Sequence, residues 1–502
     1  MHSGFYFLTL DAGTSGGRAA IFDGMGRQAA VAAAAWDYER PADAAPWGRA
    51  FDAGRFWNIL AGLARQALAQ ANVPARQVAA VSVTAQRGGM VILDRAGAAL
   101  YAGPIQDLRG VYQAAALEET CGERLAAISG HGPALIFAPA RLQWFREQQP
   151  DLFSRFATLL TISDWLIFCL SGARCTEPSA AADTQLFDIR QGAWSAELMS
   201  TLALPAALFP PVHVTGAVVG AVSPAAAAQI GLAAATPVVM GGADTQMGLL
   251  GMGMTAPGEV GILAGWSMPV QQVTAAALDA RRRLWVGPHA LPGLWVLEGN
   301  AGPAGRAYAW LAEVMCGRPD FAGLEEMAAS VDPGAGGVLA FLGPQPMNAA
   351  EMGLAWGGLL MPLGADFIEV RREHLARACL ENIAFAARAN LELVTELSQA
   401  PVVQVAVGGG LTRSRVWTQM LADVLGRPLR VSALPDASSR GAAISAAVGA
   451  GLYPDLATAA AAMTRDDVSV TPARVALAEY LDLYERWQRA REQLDALGQR
   501  ID

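Results

Sequence analysis

Charge is scarce in this chain of 502 residues: Asp, Glu, Lys and Arg make up 16% of the sequence, against 53% apolar residues. This composition excludes an intrinsically disordered chain and predicts well-buried cores. The formal net charge of −9 argues against a protein that binds the phosphate backbone of nucleic acids. Between Glu197 and Asp244 no charged residue occurs at all. A carboxylate at the end of such an apolar passage tends to have a raised pKa, as a general base requires.

Cysteine is also rare, and the five cysteines show no CxxC spacing: Cys121, Cys169, Cys175, Cys316 and Cys379. Without a cluster of histidines beside them, they indicate reduced core thiols of a cytoplasmic protein rather than a zinc site. The first residues lack the basic region and cleavage site that are typical of a signal peptide. Prolines cut the uncharged passage into pieces too short to cross a bilayer, so we expect no membrane span.

Residues 236–248 (TPVVMGGADTQMG) join an apolar run to a glycine turn and a polar stretch. The run at 237–240 predicts a buried strand, and Gly241-Gly242 predicts the turn that ends it. Asp244 then stands at the start of a predicted helix, at the carboxyl end of a strand, where open α/β sheets place their ligands. Two interpretations of Asp244 remain open on this pattern alone: a cap of its helix or a catalytic base.

Two further strand ends carry polar residues beside glycine. A predicted strand at 5–10 runs into residues 11–18 (DAGTSGGR), where small residues would let backbone N–H groups approach an anion, although an ordinary β-hairpin explains them too. Gln86-Arg87 follows a predicted strand at 78–84 and offers donors to a polar ligand, the alternative being a solvated loop. Asp107 and Arg109 continue this pattern, or they pair with each other at the surface.

The second half of the chain begins as the first does, with a strand at 259–263, a turn containing Gly265-Trp266-Ser267 and a returning strand. This similarity predicts a weak internal repeat of two similar domains. A strand at 402–407 then leads through three glycines into a helix, which leaves room for a flat ring or a sugar, or simply allows tight packing. Elsewhere we expect short helices at 141–148, 150–160 and 164–170, and a charged amphipathic helix on the surface at 475–497.

Four motifs, in this order along the chain, resemble those of the FGGY carbohydrate kinases, within the actin and Hsp70-like ATPase superfamily. They are residues 11–18, residues 241–246, Glu298-Gly-Asn with Gly305 and Trp310, and Gly408-Gly-Gly with Ser414 and Trp417. One such motif is weak, but four at strand ends across nearly the whole chain are specific, and they favour the catalytic base over the helix cap for Asp244. The resemblance implies an α/β fold of two ribonuclease-H-like (actin/Hsp70-ATPase-like) domains around a catalytic cleft.

The resemblance also implies a role for each matching residue. Asp244 would take the proton of the attacking sugar hydroxyl, and Asp11 and Asp244 would lie at Mg²⁺. The implied phosphate-binding residues are Gly13, Thr14, Ser15, Arg18, Gly265 and Ser267. The implied nucleotide-binding residues are Gly305, Gly409, Gly410 and Ser414. The implied substrate-binding residues are Gln86, Arg87, Asp107, Asp244, Thr245 and Gln246.

Within this family, residues 161–166 (TISDWL), 178–179 and 288–289 look most like autoinducer-2 kinases, which phosphorylate a linear five-carbon dihydroxy-ketone. Xylulokinases are also similar. The chain departs from the pattern at two positions. Gly88 stands where autoinducer-2 kinases and glycerol kinases have an acid, and Trp266 stands where many members have a phosphate-contacting Thr. We therefore expect Ser267 or backbone N–H groups to take over that contact, or phosphate binding to be weaker.

We therefore expect an ATP- and Mg²⁺-dependent kinase that transfers the γ-phosphoryl group to a hydroxyl of a small sugar, a xylulose-like ketose or a linear dihydroxy-ketone. Its partners would be the sugar and ATP, with no nucleic acid and no membrane, in a cytoplasmic homodimer. The expected domains are 1–254 on the sugar and phosphate side, 255–470 on the nucleotide side, and a surface helix at 471–502. One alternative, motivated by Trp266, is a sensor of the same fold without catalysis. An Hsp70-like chaperone or actin-like ATPase is less favoured, because neither needs a sugar-facing Gln86-Arg87.

Overall fold

The computed structural model describes residues 4–280, 282–349, 356–363 and 369–501, and in the last helix it describes the side chains of 478–497. Up to residue 257 the strands and helices are, in chain order, β1 (Tyr6–Ala12), β2 (Gly16–Asp23), β3 (Gln28–Ala35), α1 (Ala53–Ala71), β4 (Val78–Ala85), β5 (Met90–Leu93), β6 (Ala99–Gly103), α2 (Val111–Ser129), α3 (Ala138–Gln148), α4 (Pro150–Phe153), β7 (Thr158–Thr161), α5 (Ile162–Ser171), α6 (Pro178–Ala182), β8 (Phe187–Asp188), β9 (Ala193–Trp194), α7 (Ala196–Thr201), β10 (Val218–Ala221), α8 (Pro224–Ile230), β11 (Pro237–Ala243) and α9 (Asp244–Gly251).

From residue 258 onward the elements are β12 (Glu259–Leu263), β13 (Pro269–Thr274), β14 (Trp285–Pro288), β15 (Trp295–Asn300), α10 (Ala304–Cys316), α11 (Phe321–Ala329), β16 (Leu339–Phe341), β17 (Gly358–Leu360), α12 (Arg372–Ser398), β18 (Gln404–Gly408), α13 (Arg415–Leu425), β19 (Leu429–Val431), α14 (Ala437–Gly449), α15 (Leu456–Met463), β20 (Val468–Val470) and α16 (Arg474–Ile501). Short 3₁₀ turns lie at Ala42–Ala44, Ala75–Gln77, Ala134–Ile136, Ala206–Leu208, Ala335–Gly337 and Gly410–Arg413.

The chain forms two compact units that are not contiguous in sequence. The first contains Met1–Pro257, Val273–Leu297 and Asp436–Arg465, and the second contains Gly258–Gln272, Glu298–Pro435 and Asp466–Asp502. The predicted boundary at 254/255 lies close to Pro257, whereas two segments of the predicted second domain, 273–297 and 436–465, belong to the first compact unit. One reason is α14, whose Ala- and Gly-rich surface packs on β1, β4, β11 and α9 of the first unit.

The first unit is built on a sheet in the order β10-β11-β4-β1-β2-β3. Strands β11, β4 and β1 run parallel, whereas β1-β2 and β2-β3 are antiparallel hairpins. Ala85 pairs with Ala12 on one side and with Ala243 on the other. Because parallel strands end at the same edge of a sheet, the residues that follow these three alanines lie at one edge of the sheet.

The second unit repeats this plan. Its strands follow the order β13-β12-β18-β19-β20, with β12 antiparallel to β13 and parallel to β18. Leu263 pairs with Gly408, so the turns after β12 and β18 lie at one edge. The first strand of each unit is therefore antiparallel to its hairpin partner and parallel to a later strand, which confirms the predicted internal repeat.

Two local predictions are wrong. The helix expected at 150–160 ends at Phe153, and Thr158–Thr161 instead forms β7, which pairs with β5. The C-terminal helix is not a surface cover, because Tyr480, Tyr484 and Trp487 of α16 are at most 2% exposed and belong to the core of the second unit. Among the described residues, no helix is both long and apolar enough to span a membrane.

Candidate active site

Asp244 is the first residue of α9, directly after the end of β11. The N-cap of this helix is Ala243, and no side chain makes a capping hydrogen bond there. Asp244 is half-buried, and its backbone carbonyl accepts a hydrogen bond of 2.8 Å from the hydroxyl of Ser438. The helix-cap interpretation of Asp244 is therefore wrong. A carboxylate in the first turn of a helix is also stabilised by the helix dipole.

The end of β11 before Asp244 requires glycine. A Cβ on Gly241 would lie 1.7 Å from the carbonyl oxygen of Val83, and one on Gly242 would lie 2.9 Å from a carboxylate oxygen of Glu177. These contacts leave no space for side chains, so the end of β11 lies directly against β4 and against the segment at 177–179. The turn predicted at Gly241-Gly242 is wrong, because both glycines lie within β11, where the register against β4 shifts.

Glu177 and Ser179 support the end of β11 through hydrogen bonds. The N–H of Ala243 donates to the Ser179 hydroxyl at 3.2 Å, and that hydroxyl donates to Glu177. Glu177 is the N-cap of α6, accepts further bonds from two backbone N–H groups, and accepts one of 2.9 Å from Thr215. Burial raises the pKa of Glu177 to about 7, although these hydrogen bonds oppose the shift. Glu177 was not predicted from the sequence, where its local signal is an acid directly before Pro178.

Asp11 lies beside Asp244 at the same edge of the sheet. Arg18 is its direct partner across the β1-β2 hairpin, and the Nη1 of Arg18 lies 3.2 Å from the Asp11 Oδ2. Burial raises the pKa of Asp11 to about 7, the charges of Asp436 and Asp244 also raise it, and Arg18 lowers it. The buried Oδ1 of Asp11 has no hydrogen-bond partner among the described residues. Two neighbouring carboxylates and one arginine therefore act on the charge of Asp11.

The predicted phosphate-binding bend of the first unit is open to solvent at its tip. Ser15 and Arg18 are exposed, while Gly13 and Thr14 are half-buried. The N–H of Gly13 donates to the Gly16 carbonyl at 3.0 Å, which closes the bend tightly. Hydroxyl groups and a guanidinium are thus available to an anion at this bend.

Gln86 and Arg87 lie at the same edge, after β4. The side-chain amide of Gln86 donates to the Gly13 carbonyl at 3.2 Å and to the Tyr38 hydroxyl at 2.7 Å, so this amide ties β4 to the bend after β1. Arg87 forms an ion pair of 3.8 Å with Asp183. On α9, the hydroxyl of Thr245 donates to the side chain of Gln246 at 2.6 Å, and both residues are buried.

Asp107 is fully buried, and protein groups occupy its carboxylate. Arg109 donates to it through Nε at 2.7 Å, the backbone N–H of Arg49 donates at 2.9 Å, and the Tyr101 hydroxyl also donates to it. The Arg109 guanidinium in turn lies against three aromatic rings, those of Tyr101, Trp144 and Phe145. Asp107 and Arg109 do pair, but in the core rather than at the surface. Contact between Asp107 and substrate stays a prediction.

In the second unit, the predicted glycines surround the turn after β12. The N–H of Gly305 donates to the Gly265 carbonyl at 3.1 Å, and a Cβ on Gly305 would lie 2.3 Å from that oxygen. A Cβ on Gly409 would lie 2.5 Å from the Ala264 carbonyl, whereas one on Gly410 would meet nothing within 4 Å. Gly410 therefore leaves open space beside bare backbone.

Two hydroxyls of the second unit were predicted to contact the nucleotide or its phosphates. The Ser414 hydroxyl accepts a bond of 3.1 Å from the N–H of Trp417 and so caps α13. Ser267 lies on the turn beside Gly265, where its carbonyl accepts a bond from the Gly265 N–H at 3.1 Å. Trp266, on the same turn, is 41% exposed. Nucleotide contacts for these residues stay predictions.

Within the described ranges, no group of three or more His, Cys, Asp or Glu side chains is arranged to hold a metal ion. This finding does not exclude the predicted pair of Asp11 and Asp244, because Mg²⁺ usually keeps several waters and takes only one or two carboxylates.

Comparison with known proteins matches two consecutive parts of the chain to one family. Residues 6–251 match the N-terminal domain of the FGGY family of carbohydrate kinases, and residues 271–450 match its C-terminal domain. The chain belongs to the FGGY family of carbohydrate kinases. It is therefore a phosphotransferase that uses ATP as phosphate donor and a sugar hydroxyl as acceptor.

This FGGY kinase is 33% identical to the autoinducer-2 kinase of Salmonella typhimurium, over 99% of this chain and 96% of that protein. Its structure resembles that of xylulose kinase from Rhodospirillum rubrum, with a TM-score of 0.84, 28% identity, and coverage of 98% and 100% of the two chains. Glycerol kinase from Plasmodium falciparum shares the fold, with a TM-score of 0.83 at 17% identity over 98% and 99% of the two chains. The predicted α/β fold of two ribonuclease-H-like domains is confirmed.

Proposed function

We propose that this kinase phosphorylates a hydroxyl of a small ketose or linear dihydroxy-ketone, with Asp244 as the general base. The observation that carries this proposal is the position of Asp244 on the sheet edge where β1, β4 and β11 end. Its neighbours there are Asp11, Arg18 and Arg87, which are groups that can hold phosphate, a cation and a polar substrate. Phosphoryl transfer needs mainly such positioning and charge neutralisation.

In the proposed reaction, the Asp244 carboxylate accepts the proton of the substrate hydroxyl as its oxygen bonds to the γ-phosphorus of ATP. The oxygen bridging the β- and γ-phosphates leaves with the electron pair, and ADP is released. The chain contains no lysine, so arginine and backbone N–H groups must neutralise the phosphates. In the first unit these would be Arg18 and the bend at Gly13, Thr14 and Ser15. In the second unit, Gly265 and Ser267 would contact phosphate, and Gly305, Gly409, Gly410 and Ser414 would bind the rest of the nucleotide.

The residues present fit the predicted Mg²⁺. The Asp11 Oδ1 is buried without a hydrogen-bond partner in the described part of the chain. Burial and two neighbouring carboxylates raise the pKa of Asp11, and a divalent cation would offset this repulsion. Asp11 and Asp244 would hold Mg²⁺ through waters or one direct bond. When bound, the ion supplies charge neutralisation to the transferring phosphoryl group.

The choice of substrate rests on the relatives. The curated relative is named an autoinducer-2 kinase, and the similar solved structure is a xylulose kinase. We therefore place the linear five-carbon precursor of autoinducer-2 first and xylulose second. The cytoplasmic location and the homodimer stay predictions.

An ADP-release assay tests the proposal. Purified protein with Mg-ATP is given the autoinducer-2 precursor, pentuloses, hexuloses and polyols, and one of the first two should release ADP above the hydrolysis background. Asp244→Asn should lower kcat by at least about 100-fold, as expected for loss of a general base, while ADP still binds. The exposed Asp151→Asn is the matched control and should stay active.

Two outcomes would contradict the proposal. Full activity of Asp244→Asn would remove Asp244 from its role. Sugar-induced thermal stabilisation without any phosphorylated product would favour the alternative function, a sugar sensor without catalysis. That alternative is suggested by the exposed Trp266, which stands where many family members have a threonine.

A further inference from the structure

Arg87 is held by a carboxylate from a distant part of the sequence. Its Nη1 lies 3.8 Å from the Oδ1 of Asp183, the residue that follows α6. The guanidinium also lies over the indole of Trp285, 5.4 Å from the ring centroid. The side chains of Arg87 and Asp183 are 9% and 4% exposed. An ion pair at this depth fixes the position of its members more firmly than one in solvent.

His131 acts on the same carboxylate oxygen. Its Nδ1 lies 2.8 Å from the backbone carbonyl of Ser129, and its Nε2 lies 3.3 Å from the Asp183 Oδ1. The side chains of Arg87 and His131 therefore converge on one oxygen of Asp183. The buried Oδ2 of Asp183 has no partner in the described ranges.

The residue after Arg87 cannot supply the carboxylate that pairs with its guanidinium. The next residue, Gly88, has a φ of +65°, and a Cβ there would lie 3.0 Å from the side chain of Ile105 and 3.3 Å from the Ile136 carbonyl. Both the backbone conformation and the available space disfavour any larger residue. The carboxylate that pairs with Arg87 therefore comes from Asp183.

The cluster of Arg87, His131, Asp183 and Trp285 borders the helix that begins at Asp244. A Cβ on Gly287 would lie 3.5 Å from the His131 ring and 3.7 Å from the side-chain amide of Gln246, on α9. Gln246 and His131 therefore line the same small space. The cluster thus lies within two residues of the proposed base along α9, not at a remote surface.

We infer that Asp183 is a positioning residue, which fixes the Arg87 guanidinium for substrate binding while His131 orients the carboxylate. This inference rests on the proposed function, in which Arg87 contacts the sugar. An unrestrained arginine side chain loses rotamer entropy when it is ordered. The ion pair and the indole restrict it before the substrate arrives, so binding costs less. A guanidinium only donates, so its target is an acceptor oxygen of the substrate, either ketone or hydroxyl.

A double-mutant cycle tests this inference. Asp183→Asn, Arg87→Ala and the double variant are compared for the KM and kcat of the accepted sugar and for the KM of ATP. Sugar affinity is also measured by calorimetry, so that the test does not depend on turnover. Asp183→Asn alone should raise the KM and Kd of the sugar about tenfold with little change in the KM of ATP. In the Arg87→Ala background, the same substitution should change sugar binding by less than about twofold.

Controls separate this role from a structural one. The exposed Asp151→Asn should leave all constants unchanged, and Asp183→Glu should recover part of the sugar affinity because it keeps the charge. Equal effects of Asp183→Asn in both backgrounds would overturn the inference. So would a lower thermal stability with an unchanged KM and Kd for sugar. Sugar binding without turnover in the wild type would contradict the proposed kinase reaction, while the binding cycle would still decide the role of Asp183.

Discussion

Glu177, which supports the end of β11 before Asp244, should make the stability of the protein depend on pH. Replacing Glu177 by Gln keeps the size of the side chain and removes its charge. One oxygen of Glu177 accepts hydrogen bonds from the backbone N–H groups of Ser179 and Ala180 and from the Ser179 hydroxyl. The other oxygen accepts one from the Thr215 hydroxyl. The amide oxygen of Gln can take the first position, and its NH₂ can donate to the Thr215 hydroxyl in the second. The substitution therefore preserves the hydrogen bonds.

The magnitude follows from the pKa of Glu177, which burial raises from 4.5 to about 7. Below pH 4.5 the carboxyl is protonated in the folded and the unfolded chain, so its contribution to stability is fully present. Between pH 4.5 and 7 the unfolded chain loses this proton while the folded chain keeps it, and the free energy of unfolding falls. At 1.36 kcal/mol per pKa unit the total loss is about 3 kcal/mol, complete above pH 7. Glu177→Gln should not show this loss.

Urea unfolding at pH 4.5 and pH 8, followed by tryptophan fluorescence, measures the effect. At pH 4.5 the variant and the wild type should have similar free energies of unfolding. At pH 8 the variant should be more stable by about 3 kcal/mol. The exposed Glu119→Gln is the matched control for loss of a carboxylate at the surface. A variant that is less stable than the wild type at pH 8, or a difference that does not depend on pH, would refute the reasoning. The variant should also keep its kinase activity, because the bond from Ala243 to Ser179 remains.

Two further substitutions test the packing, each with a control. Gly441→Ala would place a Cβ 1.9 Å from the Met247 carbonyl of α9, so it should destabilise the first unit by roughly 1–3 kcal/mol. In the control, Gly62→Ala, the Cβ would have no neighbour closer than 4.0 Å. This control should stabilise α1 by roughly 0.5–1 kcal/mol. Calorimetric unfolding decides the signs, and equal signs would contradict the packing argument. Trp487→Ala should destabilise the second unit by roughly 3–5 kcal/mol, whereas Leu497→Ala, at a residue that is 50% exposed, should have little effect. A neutral Trp487→Ala would restore the prediction of a surface helix.

The sequence was sufficient wherever the determinants are local. The valines before Gly241 predicted the strand that precedes Asp244, because β-branched residues act within a few positions. The two glycines predicted a turn, but they lie within that strand. The bend after β1 and the hairpin repeat were predictable from local residues as well. Residues 158–160, which form most of β7, were assigned to a helix because a short apolar run fits either structure.

What the sequence could not supply was contact between distant residues. Asp107 is close in sequence to polar residues, but its burial depends on Arg49, Tyr101 and the rings around Arg109. Asp183 is separated from Arg87 by almost a hundred residues, and α14 joins the first unit although it lies between two segments of the second unit in sequence. In each case the register of the sheet or the packing of helices decides the outcome, and single-sequence patterns carry no information about either.

The cluster of Asp11, Asp244 and Asp436 lowers the stability of the isolated protein. Asp11 is buried, its Oδ1 has no partner in the described part of the chain, and the neighbouring carboxylates raise its pKa further. Arg18 offsets only part of this repulsion, because it meets Asp11 at 3.2 Å and Asp436 at 4.0 Å while its own side chain is 49% exposed. An apolar residue at position 11 would remove the repulsion, whereas Asp436 also has a structural role, because it accepts a hydrogen bond from the N–H of Ser439 as the N-cap of α14. Residues that lower stability in this way are typical of sites where activity requires them. A cation held beside Asp11 and Asp244 during phosphoryl transfer would supply the positive charge that the protein itself does not provide.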